Sequence, residues 1–137
     1  MKGQWLVIQF VLFFLIGLTI FIAIGNLFKL RADIFREDVA NSTRKLINSF
    51  VSSLVVSSFT CKECEYSKIS VKLENTTAEY FFDIYLNNSG INVVSQPGGK
   101  NYLSSAHNLN STLNFSGHST SVKTITLTKT QNKLEVS

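Results

Sequence analysis

Cys61 and Cys64, in the spacing Cys61-Lys62-Glu63-Cys64, are the first side chains of this chain that could do chemistry. A C-x-x-C pair can close a short structural disulfide in an oxidising compartment. It can act as a dithiol redox couple, which normally opens the helix of a βαβ unit. It can supply half of a zinc site, which needs four ligands when structural. It can also stay as two free thiols. No second C-x-x-C is present, and His107 and His118 stand in Asn/Ser/Gly-rich stretches that read as solvated loops. A structural disulfide between Cys61 and Cys64 is therefore the leading expectation, with the other three left open. Asp83 is the one carboxylate inside an apolar run, residues 80–86. Without a neighbouring His or nucleophile motif it reads as an outward-facing or paired residue rather than a general base. The sequence has no Gly-rich phosphate loop, H-E-x-x-H or G-x-S-x-G. The chain reads as a non-enzyme, with no catalytic residue, cofactor or metal ligand.

The elements that carry these residues differ sharply along the chain. Residues 4–28 contain no Asp, Glu, Lys or Arg, and at ~1.5 Å rise per residue such a block spans the ~30 Å apolar layer of a bilayer as one helix. Helix signals continue beyond it. Leu27, Leu30 and Ile34 follow 3, 4 spacing, and Leu46, Ile47, Phe50, Val51 and Leu54 trace one helical face. Residues 36–45 hold only Val39 and Ala40 as apolar side chains. They form either a solvated stretch of one long helix or a break, with Asn41, Ser42 or Thr43 capping a second helix. A continuous helix over residues 4–56 would be ~80 Å long, far more than one bilayer crossing needs.

From Lys68 onward the period becomes 2. Ile69, Val71 and Leu73 alternate with polar residues, as in a half-buried strand. Residues 80–86, apolar on both faces apart from Asp83, read as a central strand. Asn87-Asn88-Ser89-Gly90, Pro97-Gly98-Gly99 and Gln131-Asn132 read as turns. Leu113 with Phe115, Ile125 with Leu127, and Leu134 with Val136 supply further inward-facing pairs. Thr124, Thr126, Thr128 and Thr130 share one face of a strand. Six or seven short strands imply a small antiparallel all-β sandwich. The fold class expected is α+β: a long hydrophobic N-terminal helix, residues 4–58, then a β-sandwich domain, residues 59–137.

The net charge of +4 is spread along the chain. No basic stripe with interleaved aromatics emerges, which speaks against nucleic acid as a partner. Five N-x-[ST] sequons occur, at Asn41, Asn75, Asn87, Asn110 and Asn114, where composition alone would give ~2.5. They favour an extracellular, glycosylated domain, Asn41 being the least suited if it is helical. The basic residues Lys29, Arg31 and Arg36 behind the apolar block would by the positive-inside rule place the C-terminal domain in the cytoplasm. The cysteine pair, the sequons and the Thr-rich strands outweigh that count here and set the expectation outside.

Three readings compete for the apolar block: a removed secretory signal, a permanent anchor, and the core helix of a polymer. A secretory signal has a shorter apolar region and a small-residue cleavage site, which residues 25–29 do not supply. The order Lys2-Gly3, Gln4, then the apolar helix resembles the class III signal of archaeal type IV pilins and archaellins, which a processing peptidase cuts after a basic-Gly pair. The resemblance implies a leader of residues 1–3, cleavage between Gly3 and Gln4, and a mature chain starting at Gln4. The fifth mature position, often Glu in pilins, is here Ile8, with Gln9 beside it. Gln9 reads either as an amide bonding a neighbouring membrane helix or interfacial water, or as a polar contact to the N-terminus of an adjacent subunit in a filament core.

The function this implies is a structural subunit of an extracellular archaeal type IV-like pilus. It would be inserted in the membrane as a precursor, handled by a prepilin-type peptidase and an assembly platform, and polymerised with copies of itself. Its glycosylated β-domain would then serve adhesion. The alternative is a single-pass envelope protein, similar to the stator-type proteins of the archaellum, whose β-domain binds a surface-layer or other envelope partner.

Overall fold

The computed structural model describes residues 2–60, 64–73, 77, 79–105 and 113–137. One helix, α1 (Lys2–Thr60), precedes seven strands: β1 (Ser67–Lys72), β2 (Phe81–Asn87), β3 (Gly90–Gln96), β4 (Lys100–Ser104), β5 (Asn114–Thr120), β6 (Thr124–Thr130) and β7 (Lys133–Val136). The α+β order matches the expectation. α1 passes unbroken through residues 36–45. That segment contains no Gly or Pro, so nothing interrupts its i→i−4 hydrogen bonds.

The chain divides into two compact units, residues 1–37 and 38–137. The division falls inside α1, and the unit that holds the sheet includes the second part of that helix from Asp38. In the first unit the helix exposes its apolar side chains all round, with Trp5, Phe10, Phe21 and Phe28 all more than two-thirds accessible. α1 is long and apolar enough to cross a bilayer by length and composition. It is a candidate membrane anchor or signal. The Thr19 hydroxyl inside this stretch donates to the Leu15 carbonyl at 2.7 Å, an intrahelical bond that survives in lipid.

In the second unit the strands form one seven-stranded sheet in the order β1-β6-β7-β5-β2-β3-β4. All neighbours are antiparallel except β5 and β7, which run parallel. The sheet falls into two groups, β1-β6-β7-β5 and β2-β3-β4, joined where β2 meets β5 through three register pairs. Inward side chains of both groups, among them Phe82, Ile84, Val93, Phe115, Leu127 and Leu134, enter a single core cluster with Ile47, Val51 and Val55 of α1. This gives the domain its sandwich-like interior, with helix and sheet as its walls.

Alternation explains the sheet's contribution. β2, β6 and β7 each bury every second residue, the period-2 pattern of one packed and one free face. The parallel β5–β7 pairing brings Gly117 opposite Val136. Gly117 has φ 121°, and a Cβ there would run into the Val136 backbone, so only glycine fits. The β2–β3 turn is set by Asn87, whose Oδ1 accepts from the Ser89 N–H at 2.9 Å. The neighbouring Asn88 Oδ1 accepts from the Phe115 N–H at 3.1 Å and ties that turn to β5.

Candidate assembly surface

The second part of α1 has two faces of different chemistry. The face against the sheet comprises Ala40, Arg44, Ile47, Asn48, Val51, Val55 and Ser58, all buried, at the 3 and 4 spacings of one helical stripe. Of the three polar side chains among them, Ser58 donates to the Leu54 carbonyl of its own helix at 2.9 Å, and the other two are matched to the β3–β4 hairpin. Arg44 Nη1 donates to Ser95 Oγ at 2.5 Å, and its Nη2 lies 3.5 Å from Asn41 Oδ1. Asn48 Nδ2 donates to the Ile91 carbonyl at 2.9 Å and reaches the Tyr102 carbonyl at 3.4 Å. Buried polar groups are tolerated when bonded in this way, and they fix the rotation of the helix against the sheet.

That rotation differs from the one read in the apolar spacing. Leu46 and Phe50, expected on the packed face with Ile47, Val51 and Leu54, are 70% and 40% exposed, and Val56 is 52% exposed. Arg44 and Asn48 occupy the packed face in their place. The opposite face therefore carries Leu46, Ser49, Phe50, Ser53, Val56 and Ser57, all exposed. No charged residue occurs from Leu46 to the end of the helix. The Ser53 hydroxyl donates to the Phe50 carbonyl of its own helix at 2.7 Å, so it needs no partner from solvent. A surface of this kind, apolar and small-residue, is suited to contact another helix.

The other residues singled out in the sequence are dispersed. Gly3, Gln4 and Gln9 lie in the first turns of α1, each exposed. Gln9 has the exposure that either reading requires. Asn41 is helical and exposed, Asn87 is exposed at the end of β2 beside the turn, and Asn114 is exposed at the start of β5. Asn75 and Asn110 lie outside the described residues. Cys64 is disulfide-bonded. Cys61, the chain's only other cysteine, lies outside the described residues, as does His107.

His118 is placed differently from the sequence expectation. It belongs to strand β5 rather than a loop. Its ring stacks on Tyr85 of β2 with centroids 4.5 Å apart and planes at 23°. Its Nε2 faces Asp83 Oδ1 at 3.7 Å. Asp83 itself points outward from β2, as read from the sequence. Ser, Gly and Asn in Asn114–Thr120 carry weak strand propensity, but pairing with β2 on one side and β7 on the other overrides it. Among the described residues no group of three or more His, Cys, Asp or Glu side chains converges.

Comparison with protein-family models, with curated proteins and with solved structures finds no match for this chain.

Proposed function

We propose that this chain is a structural subunit of an extracellular filament of the archaeal type IV pilus kind. In this reading it is inserted in the membrane through α1, cut after Gly3, and assembled by packing α1 against α1 of neighbouring copies. The sheet domain lies outward, glycosylated at surface sequons such as Asn87 and Asn114, and serves adhesion.

The observation that carries the proposal is the exposed, uncharged face of α1 around Leu46, Phe50 and Val56. A plain anchor needs one bilayer crossing and would present charge to water beyond it. Here charge does follow the apolar block, at Lys29, Arg31, Asp33, Arg36, Glu37 and Asp38, but the helix then continues from Leu46 with one side packed on the sheet and the other exposed and free of charge. Large apolar side chains left exposed in a row mark an interaction surface, and one on a helix is best covered by another helix.

The test is the state of the protein isolated from cells. The proposal expects a mature N-terminus at Gln4 by mass spectrometry, in material that shears from the cell surface and sediments as filaments. A chain that begins at Met1, stays with the membrane and behaves as a monomer in detergent would refute it and would support the envelope-anchored alternative.

A further inference from the structure

Asn87 opens the sequon Asn87-Asn88-Ser89 at the end of β2. Phe81, Asp83, Tyr85 and Asn87 alternate with the buried Phe82, Ile84 and Leu86, so they share the outward face of the strand. Tyr85 and Asn87 are neighbours on that face, ~6.6 Å apart along the strand. The Asn87 side chain is held in the turn, because its Oδ1 accepts from the Ser89 N–H at 2.9 Å. That bond uses the oxygen and leaves Nδ2, the atom that takes an N-linked sugar.

The Tyr85 ring is fixed before any sugar arrives. It stacks on the imidazole of His118 with centroids 4.5 Å apart and planes at 23°, and His118 in turn faces Asp83 Oδ1 at 3.7 Å. Packed in this way, Tyr85 is still 37% exposed. The C–H bonds on one side of a sugar ring carry partial positive charge and match the negative face of an aromatic ring. A sugar tethered two positions away meets that ring at high effective concentration. The Asn114 sequon is less well placed. It stands four positions from His118 on β5, ~13 Å along the strand, too far for its first sugar to reach the same ring.

We propose that Tyr85, backed by His118, is the seat for the first sugar of a glycan on Asn87. The ring pair crosses the seam between the two strand groups, where β2 and β5 share three register pairs. A sugar lying on it covers the stack from water and stabilises the domain. The proposal rests on the reading of the domain as exported and glycosylated, and is independent of whether the chain polymerises.

The experiment uses the full chain isolated from cells in detergent, with the glycan on Asn87 located by peptide mass spectrometry. Ser89→Ala removes the sequon but keeps the backbone N–H that bonds Asn87 Oδ1, so it provides an unglycosylated reference with the turn intact. The glycosylated chain should melt about 4–8 °C above Ser89→Ala, the shift that one added ring contact gives a domain of this size. In a Tyr85→Thr background, which keeps a good strand former, Ser89→Ala should leave the Tm unchanged. Tyr85→Phe should preserve the whole shift, since the contact uses the ring and not the hydroxyl. NMR of the glycosylated chain should show protons of the first sugar moved upfield by the Tyr85 ring, a readout that needs no variant. Absence of a glycan at Asn87 would overturn both the proposal and the assignment of that sequon. A glycan at Asn87 with no Tm shift, with an equal shift in the Tyr85→Thr background, or with unshifted sugar protons would overturn the seat alone and leave glycosylation standing.

Discussion

Replacing Leu46 and Phe50 together by Glu separates folding from assembly. Both side chains lie on the face of α1 turned away from the sheet, and neither belongs to the core cluster. The double substitution should move the Tm of the sheet domain by no more than about 4–8 °C, since exposed changes usually move stability by less than ~0.5 kcal/mol each. Glu is also a good helix former. The assembly side is different. Fully burying a large apolar side chain contributes ~2 kcal/mol, so exposed fractions of 70% for Leu46, 40% for Phe50 and 52% for Val56 leave about 3 kcal/mol to be gained when the face is covered. Losing the Leu46 and Phe50 shares removes about 2 kcal/mol per contact, or roughly 30-fold in each association step. Two carboxylates forced into an apolar contact add a desolvation penalty beyond that. The assay is sedimentation of sheared surface material, with the membrane fraction as control. The expected result is full membrane levels of the variant and little or none in the filament pellet. Pelleting equal to that of the unmodified protein, with an unchanged Tm, would refute the assignment of this face to assembly.

Other perturbations address the fold and the surface. Asn48→Leu should lower stability by about 1–3 kcal/mol, because the Ile91 carbonyl loses its buried donor; chemical denaturation measures it. Leu134→Ala, at a fully buried core position, should lower stability by ~2–5 kcal/mol in the same assay. Gly117→Ala should be destabilising by at least ~1–3 kcal/mol, since it strains a positive φ and drives a methyl into the Val136 backbone. Asn87→Gln should remove one glycan from the protein isolated from cells, read as a discrete mass loss in the peptide that contains the β2–β3 turn.

Much of the sheet is legible in the sequence because its inner face is apolar at period 2. Ile84, Ile125, Leu127, Leu134 and Val136 are buried where alternation puts them. The turns at residues 88–89, 97–99 and 131–132 fall where Asn, Gly and Pro mark them. β4 is not marked in this way: it is an edge strand whose Tyr102 and Leu103 both remain accessible, so no alternation signals it. The parallel β5–β7 pairing is equally invisible, since register between distant segments leaves only Gly117 as a trace.

The helix shows where hydrophobic spacing misleads. Leu46 and Phe50 fall close enough to Ile47, Val51 and Leu54 to read as one face, yet Arg44 and Asn48 set the packed side through bonds to Ser95, Ile91 and Tyr102. A polar residue becomes a core residue only when its partner is known, and these partners are more than forty residues away. The same reason hides the cluster at Asp83. Its oddness in an apolar strand is visible in the sequence, whereas His118, thirty-five positions on, reads as part of a loop until pairing with β2 brings the two together.

Cryo-electron microscopy of material sheared from cells expressing the unmodified chain tests the central claim most directly. The account predicts filaments in which α1 helices fill the centre, the Leu46, Phe50 and Val56 face is covered by neighbouring helices, and the sheet domains form the outer layer. Filaments that lack this chain, or filaments in which that face of α1 points to solvent, would contradict it.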